Sequence, residues 1–344
     1  MNDDFYMKRC LVLAKKGLGY TYPNPLVGCV IVHKSKIIAE GWHKKAGSNH
    51  AEREAILKVK DKSLLSNSTL YVNLEPCDHF GKTPPCTDLI LEMKIPSVII
   101  GCLDENKIVL GKGIEKLKLN GCKVKIGILK SKCLNLNRRF FTFHQKKRPY
   151  VILKWAETSD GFIAPKESDQ GYWLTDPLSR QRVHQWRSQE QSIMVGVKTV
   201  LNDNPKLNTR LWKGKNPLAL VIDTQQKLSN SKRDYNLFKR KFITIRNQNK
   251  EENREQNPIK TKEILDQLYD RSLQSVIIEG GGETLQSFID TDLWDEARIF
   301  VTKQKISDGL KGPKIKRESV YGYSKIKEDT LITIYKDSII SNKD

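Results

Sequence analysis

Short apolar runs of strand length alternate with helix-length amphipathic segments along almost the whole chain, and that alternation points to an α/β protein. Asp3 and Asp4 lead into Met7, Cys10, Leu11 and Ala14 at helical spacing, and Gly17 stops the run, which predicts an amphipathic helix. Residues 26–32 and 36–40 read as two strands joined by a tight polar turn. Helices are predicted over 50–60, 86–93 and 113–119, and strands over 69–74, 97–103 and 123–128. Helices and strands in this rhythm predict a three-layer α/β/α domain.

The stretch 145–149, Gln-Lys-Lys-Arg-Pro, reads as a charged linker between a domain over 1–145 and a second over 149–344. Beyond it, strands are predicted over 150–156, 192–197, 218–223, 241–245 and 275–279, with two more near 297–302 and 331–335. Helices are predicted over 176–189, 262–269 and 284–290; Pro177 suits a first turn, and Thr175 or Asp176 suits a cap. The polar residues 246–260 read as a surface loop. Two α/β domains fit a chain of 344 residues at roughly 150 residues per domain.

No stretch approaches the roughly 18–20 continuous apolar residues of a membrane span, and the N-terminus lacks the apolar core of a signal peptide. Seven unevenly spaced cysteines, an odd number, predict reduced thiols and a cytoplasmic location, so a clustered Cys/His set is read as a metal site. The net charge is +20, and residues 107–148 hold 13 Lys/Arg against one acid, Glu115. Nucleic acid, anionic metabolites and plain solvation are all compatible with such an excess.

The cluster is His50-Ala51-Glu52 followed by Pro76-Cys77 and Cys86. One imidazole and two thiolates leave the fourth tetrahedral position of a zinc ion open for water, as a catalytic site requires. Glu52 is then the proton shuttle, not a ligand. The pattern matches the zinc-deaminase signature H-x-E…P-C-x-x-C, except that eight residues separate the cysteines here instead of two. Gly81 lets that insert turn, and Lys82 carries a cation suited to a substrate phosphate.

Tyr22-Pro-Asn-Pro-Leu-Val-Gly28, Gly41-Trp-His43, His50-Ala-Glu52 and the segment 74–86 with its long insert resemble the bifunctional deaminase/reductases of bacterial riboflavin biosynthesis. The resemblance implies a cytidine-deaminase-like first domain in which Asn24, His43 and Ala51 hold the pyrimidine. Lys82 and Thr83 would hold the ribose phosphate end.

In the second half, the strand at 276–279 runs into Gly280-Gly-Gly282 and a helix, where backbone N–H groups can approach a phosphate. The dinucleotide pattern G-x-G-x-x-G is absent, so no Rossmann domain is implied. Residues 153–161, Trp173-Leu-Thr-Asp, Arg187, 196–205 and Val221-Ile-Asp-Thr224 resemble the reductase half of the same family, which implies a dihydrofolate-reductase-like fold and NADPH. By that resemblance NADPH contacts Ala156, Trp173, Thr199, Asp203, Thr224 and the turn of Gly281, Gly282, Glu283, Thr284, Leu285, Gln286 and Ser287. Lys154, Gly171, Arg187, Leu207, Arg210 and Glu279 would face the phosphorylated sugar.

The implied function is hydrolytic deamination of 2,5-diamino-6-(5-phosphoribosylamino)pyrimidin-4(3H)-one and then reduction of the ribosyl chain to give 5-amino-6-(5-phosphoribitylamino)uracil. It implies one Zn2+ per chain, NADPH, a small phosphorylated pyrimidine as partner, no nucleic acid or membrane, and a homo-oligomer, dimer or tetramer. Two other readings are weighed against it. A tRNA-type deaminase with a basic binding surface is disfavoured by the long insert and the reductase-like half. A structural zinc protein is disfavoured by Glu52 and by the lack of a fourth ligand.

Overall fold

In the computed structural model, the described residues are 2–80, 84–104, 111–166, 173–231, 233–247, 259–316 and 320–336. The chain divides into two compact units, one ending at Lys146 and the next starting at Lys147.

The first unit contains α1 (Asp3–Lys15), β1 (Gly28–His33), β2 (Lys36–Trp42), α2 (Ala51–Lys58), β3 (Ser68–Leu74), α3 (Cys86–Glu92), β4 (Ser97–Cys102), α4 (Lys112–Leu119), β5 (Lys123–Ile126), α5 (Lys130–Leu136) and α6 (Arg138–Lys146). Its sheet runs β2-β1-β3-β4-β5. β1 is antiparallel to both β2 and β3, whereas β3, β4 and β5 are parallel. Successive strand side chains point to opposite faces, so each strand feeds two cores. Val30, Val32, Tyr71 and Ile99 pack with Met7, Leu13, Phe140 and Phe141 of α1 and α6. Ile31, Leu70, Val72 and Ile100 pack with Ala55, Ile56, Ile90 and Leu117 of α2, α3 and α4. This is the expected three-layer arrangement.

The second unit contains β6 (Tyr150–Glu157), β7 (Phe162–Pro165), α7 (Pro177–Gln189), β8 (Ser192–Gly196), α8 (Val197–Asp203), β9 (Leu218–Ile222), β10 (Phe242–Ile245), α9 (Thr261–Asp270), β11 (Ser275–Ile278), α10 (Gly282–Asp290), β12 (Glu296–Val301), β13 (Gly309–Lys311), β14 (Val320–Ile326) and β15 (Asp329–Tyr335). Eight strands form one sheet in the order β10-β9-β8-β11-β6-β12-β15-β14, and β13 pairs with β7. The strands from β10 to β12 are parallel, and β15 and β14 join antiparallel. Leu153, Met194, Leu220 and Ile278 pack with Leu265, Leu268 and Phe288 of α9 and α10 on one face. Ile152, Val195, Val221 and Ile277 pack with Val183 and Trp186 of α7 on the other.

Several boundaries differ from the sequence expectation for local reasons. The first strand starts at Gly28 instead of residue 26, because the Leu26 backbone bonds to asparagine side chains and not to a neighbouring strand. The strand expected over 123–128 stops at Ile126, where Gly127 turns the chain at φ +99°. Val197, expected as a strand end, instead opens α8. α5, α6, β7, β13 and β14 had no counterpart in the pattern. The stretch read as a linker is partly helical to Lys146, and Arg148 is buried, its guanidinium forked onto Asp295 at 2.6 and 2.7 Å. Of the polar loop expected over 246–260, residues 248–258 lie outside the described set. Among the described residues, no helix is long and apolar enough to cross a membrane.

Candidate active sites

In the first unit, His50 is the N-cap of α2, Cys77 follows the end of β3 through Glu75-Pro76, and Cys86 is the first residue of α3. Their ligand atoms all lie within 4.8 Å of one another. His50 Nδ1 is 3.4 Å from Cys77 Sγ and 3.5 Å from Cys86 Sγ. The Cys86 backbone N–H, 3.5 Å away, points at Cys77 Sγ. Two glycines permit this convergence. A Cβ at Gly41 would sit 2.3 Å from the Ala51 carbonyl oxygen, so only glycine lets the start of α2 press against β2. A Cβ at Gly113 would sit 2.4 Å from the Pro76 carbonyl, which brings α4 against the Cys77 turn.

The electrostatics suit a metal ion. Hydrogen bonding from Cys86, and then His50, pulls the Cys77 thiol down to about 4, so Cys77 is a ready thiolate. The Cys86 thiol is pushed up by its bond to Cys77 and by burial. Glu52, 4% exposed, is raised to about 7 by burial and then by Cys77, and its carboxyl is within hydrogen-bonding reach of Cys86. One imidazole, two thiol sulfurs and an adjacent buried carboxyl match the donor set of a catalytic zinc site.

Beside this cluster the His43 ring stands edge-on to His50, with centroids 5.5 Å apart. His43 Nε2 is 3.0 Å from Asn24 Nδ2, and Nδ1 is 3.1 Å from the Asn49 carbonyl oxygen. The carbonyl takes an N–H from Nδ1, which leaves Nε2 to accept from the Asn24 amide. Burial lowers the His43 pKa and keeps this neutral form. Asn24 and His43 are therefore together, and Ala51 is fully buried at the start of α2. Lys82 and Thr83 lie outside the described residues.

Sequence reasoning missed the residues that anchor the backbone just after Asn24, at Leu26 and Gly28. Asn73 accepts from the Gly28 N–H at 2.7 Å and donates to the Leu26 carbonyl at 3.0 Å. Asn137, between α5 and α6, accepts from the Leu26 N–H at 2.7 Å and donates to the same carbonyl at 2.9 Å. Glu75 was also missed: its Oε2 accepts the N–H groups of Asp104 and Gly111 at 3.3 and 3.2 Å. Asp78 accepts from Thr87 Oγ1 at 2.6 Å and pairs with Lys116 at 2.7 Å. Lys116 also pairs with Asp88, and Lys125 with Asp3, so part of the basic stretch serves local ion pairs.

In the second unit the candidate residues gather where the parallel strands end, the usual binding edge of such a sheet. Ala156 is near the end of β6, Gly196 closes β8, Thr224 follows β9, and Glu279-Gly280-Gly281 follow β11. Glu279, with its side chain 5% exposed, takes both Nε and Nη2 of Arg187 at 2.8 Å, and Lys154 Nζ lies 3.7 Å from it. Burial alone would raise the Glu279 carboxyl; Arg187 and Lys154 outweigh it and hold the group at about 2. Arg187 Nη1 donates to the Asn208 carbonyl at 3.0 Å, and Arg210 Nη1 to Asn208 Oδ1 at 3.2 Å. Leu207, also expected at the sugar, is buried, and its carbonyl accepts from Arg240 at 2.6 Å. Arg240 had no signal in the sequence; its bond to the Leu207 carbonyl joins residues 33 positions apart.

The glycine turn fits a phosphate-bearing cofactor. Gly280 and Gly281 have φ of +135° and +67°, and a Cβ at Gly281 would lie 3.3 Å from Thr284 Oγ1 and 3.5 Å from Thr199 Oγ1. Two hydroxyls and the start of α10 thus border a gap that a larger residue would fill. Gly282, Glu283, Gln286 and Ser287 line a pocket of about 430 Å³ with Lys311, Gly312 and Pro313. Leu285 instead faces the core, 1% exposed. Burial raises the Asp203 carboxyl in the last turn of α8. Trp173 is 58% exposed and stacks against Arg180, whose guanidinium carbon is 5.2 Å from its ring. Gly171 lies outside the described residues.

Comparison with known proteins gives a concordant picture. The family model described as the cytidine and deoxycytidylate deaminase zinc-binding region matches residues 1–102, and that of the RibD C-terminal domain matches 149–302. The riboflavin biosynthesis protein RibD of Aquifex aeolicus is 35% identical over 98% of this chain and 97% of its own length. The RibD of Actinobacillus pleuropneumoniae is 51% identical over 65% of this chain, a match spanning 59% of that protein. A crystal structure from Thermotoga maritima, described as a diaminohydroxyphosphoribosylaminopyrimidine deaminase/5-amino-6-(5-phosphoribosylamino)uracil reductase, superposes with a TM-score of 0.86 at 37% identity, covering 97% of this chain and 98% of that one. The cytidine-deaminase-like and reductase folds expected of the two halves are those of that structure.

Proposed function

The chain belongs to the RibD family of riboflavin-biosynthesis proteins, and on that premise we propose how its two activities are divided among its residues. It is a bifunctional enzyme, a zinc-dependent deaminase in the first unit and a reductase in the second. The substrate we assign is 2,5-diamino-6-(5-phosphoribosylamino)pyrimidin-4(3H)-one, deaminated first and reduced second. The observation that carries this reading is the convergence of His50, Cys77 and Cys86 within 4.8 Å beside the buried Glu52.

His50 Nδ1 and the two thiolates would hold one zinc ion, which supplies Lewis acidity at its open position. The Glu52 carboxylate takes one proton from the attacking water and passes it to the ring nitrogen; it then takes the second proton, from the hydroxyl added to the ring carbon, and delivers it to the departing amine, so that the C–N bond breaks and ammonia leaves. The Asn24 amide, aligned by His43, presents hydrogen bonds to the edge of the pyrimidine. Lys82 and Thr83 are assigned to the phosphate end, in keeping with the resemblance.

For the reduction, Thr199, Asp203, Thr224, Ala156, Trp173 and the 281–287 turn would hold NADPH, which supplies a hydride equivalent at the sugar C1′. We assign the proton to Lys154, on which Glu279 holds it against burial, which lowers its pKa; Glu279 itself, held at about 2, is ionised and carries none. As the C1′–O4′ bond opens, that proton goes to O4′ and leaves a ribityl chain. Arg187 and Arg210 grip the phosphorylated end, with Gly171 and Leu207 at the sugar. None of the seven cysteines is in a disulfide, in accord with a reducing cytoplasm. The reading also entails a homo-oligomer and no nucleic-acid partner, checked by light scattering and by RNA titration at varied salt.

The test is incubation of zinc-loaded protein with the diaminopyrimidine substrate, followed by mass spectrometry before and after NADPH is added. Deamination alone and then reduction is expected, and chelation of zinc should stop the first step but not the second. No turnover in either stage from folded, metal-loaded protein would refute the assignment.

A further inference from the structure

α4 and its cap meet the chain on both sides of Cys77. At the cap, the Gly111 N–H donates to Glu75 Oε2 at 3.2 Å. In the first turn, a Cβ at Gly113 would sit 2.4 Å from the Pro76 carbonyl oxygen and 3.2 Å from Thr87 Cγ2. One turn further on, Lys116 Nζ reaches Asp78 Oδ1 at 2.7 Å and Asp88 Oδ1 at 2.5 Å. Asp78 directly follows Cys77, and Asp88 stands two residues after Cys86 in the first turn of α3. One ammonium therefore spans the two segments that carry the thiols. Thr87 adds to the link: its Oγ1 donates to Asp78 Oδ1 at 2.6 Å, and its N–H to the Cys77 carbonyl at 3.3 Å.

The eight residues between the cysteines give this link its importance. A metal held by both thiols closes a loop, and lengthening a flexible loop from two residues to eight weakens its closure about 8-fold. A tie at the base of the insert offsets that loss, because a thiol that lets go of the metal stays within reach of it. Without the ammonium, Asp78 and Asp88 would face each other as like charges and push the same two segments apart. An isolated exposed ion pair contributes little. Here the Asp78 side chain is only 19% exposed, and three charged groups and a hydroxyl share the contact. We propose that Lys116 is a positioning residue of the zinc site: by holding Asp78 and Asp88 on one ammonium it ties the Cys77 and Cys86 segments together and slows release of the metal. The proposal rests on the zinc-deaminase reading above, and it gives one lysine of the basic stretch a task inside the first unit.

The experiment mixes the full-length, zinc-loaded chain with an excess of a chromogenic chelator, which reads the rate of zinc release. Lys116→Met should speed release about 5- to 20-fold, while kcat for deamination with zinc in excess stays within about 3-fold of wild type. Lys116→Arg keeps a cation with the reach to meet both acids, and its release rate should stay within about 2-fold of wild type. Asp78→Asn should speed release to a similar degree as Lys116→Met, and the double variant should be no faster than either alone, because all three break one link. Asp78→Asn also serves as the test if Lys116→Met fails to fold. Leu117→Ala is the control: it empties a fully buried position of the same helix away from the ion pairs, so it should lower thermal stability and leave zinc release unchanged. Release from both Lys116→Met and Asp78→Asn at the wild-type rate would overturn the proposal. Equally fast release from Leu117→Ala would mean a merely structural lysine and overturn it too. A wild-type protein that takes up no zinc would instead sink the zinc reading, and the proposal with it.

Discussion

Glu279→Gln removes a negative charge from between two buried cations, and the cost can be worked from the geometry in two ways. The carboxylate receives both arms of Arg187 at 2.8 Å and lies 3.7 Å from Lys154, with its side chain 5% exposed. Breaking a buried, hydrogen-bonded ion pair from one side costs about 3–5 kcal/mol, because the other charge stays buried without its partner. Independently, a carboxyl held at about 2, against the ordinary 4.5, contributes about 3 kcal/mol at pH 7. The two routes agree. The sign follows from the direction of the shift: a depressed carboxyl stabilises the fold fully above its unfolded value, near 4.5, and that contribution fades as pH falls toward 2. The gap between wild type and variant should therefore be about 3 kcal/mol at pH 7 and shrink to about 1 kcal/mol at pH 3. Urea unfolding followed by tryptophan fluorescence reads this well, since five of the six tryptophans (155, 173, 186, 212 and 294) lie in the second unit. A variant as stable as wild type at pH 7, or one whose deficit is unchanged at pH 3, would refute the claim that an ionised Glu279 neutralises this site.

Glu52→Gln should cut deamination by at least about 100-fold while zinc content, measured by atomic absorption, and reduction of supplied intermediate stay as in wild type. Asn137→Ala leaves the buried Leu26 N–H without its 2.7 Å acceptor, so the first unit should lose about 1–3 kcal/mol and the deaminase KM should rise; an unchanged melting curve and KM would show that Asn137 does not hold the Asn24 segment. Gly281→Val places a branched side chain at φ +67° beside Thr199 and Thr284, and NADPH affinity by fluorescence titration should fall about 10-fold or more with deamination intact.

The zinc cluster was legible because its chemistry restricts residue type: few arrangements other than a metal site call for His-x-Glu and two cysteines ahead of helices. The paired strands and most helices were legible for a similar reason, since periods of 2 and 3.6 are local properties of the backbone. α5 and α6 were not. They are short, seven and nine residues, and strongly basic, so although α6 is amphipathic its pattern is too brief to stand out in the chain, and only the surface offered by α1 and the sheet buries Phe140 and Phe141. Asn73 and Asn137 look like ordinary polar residues until Leu26 arrives from 47 and 111 positions away. Arg187 and Glu279, 92 positions apart, were marked as sugar-facing residues only by resemblance, and nothing in the chain order paired them with each other.

What the sequence determined by itself was therefore the kind of protein: α/β layers from backbone periodicity, and a zinc-type donor set from side chains whose chemistry admits few other uses. Only the tertiary structure decided which charges share a site and which backbone groups the asparagines satisfy. Those are through-space properties. They depend on distance and burial after the chain has closed on itself, and neither quantity is written in residue order.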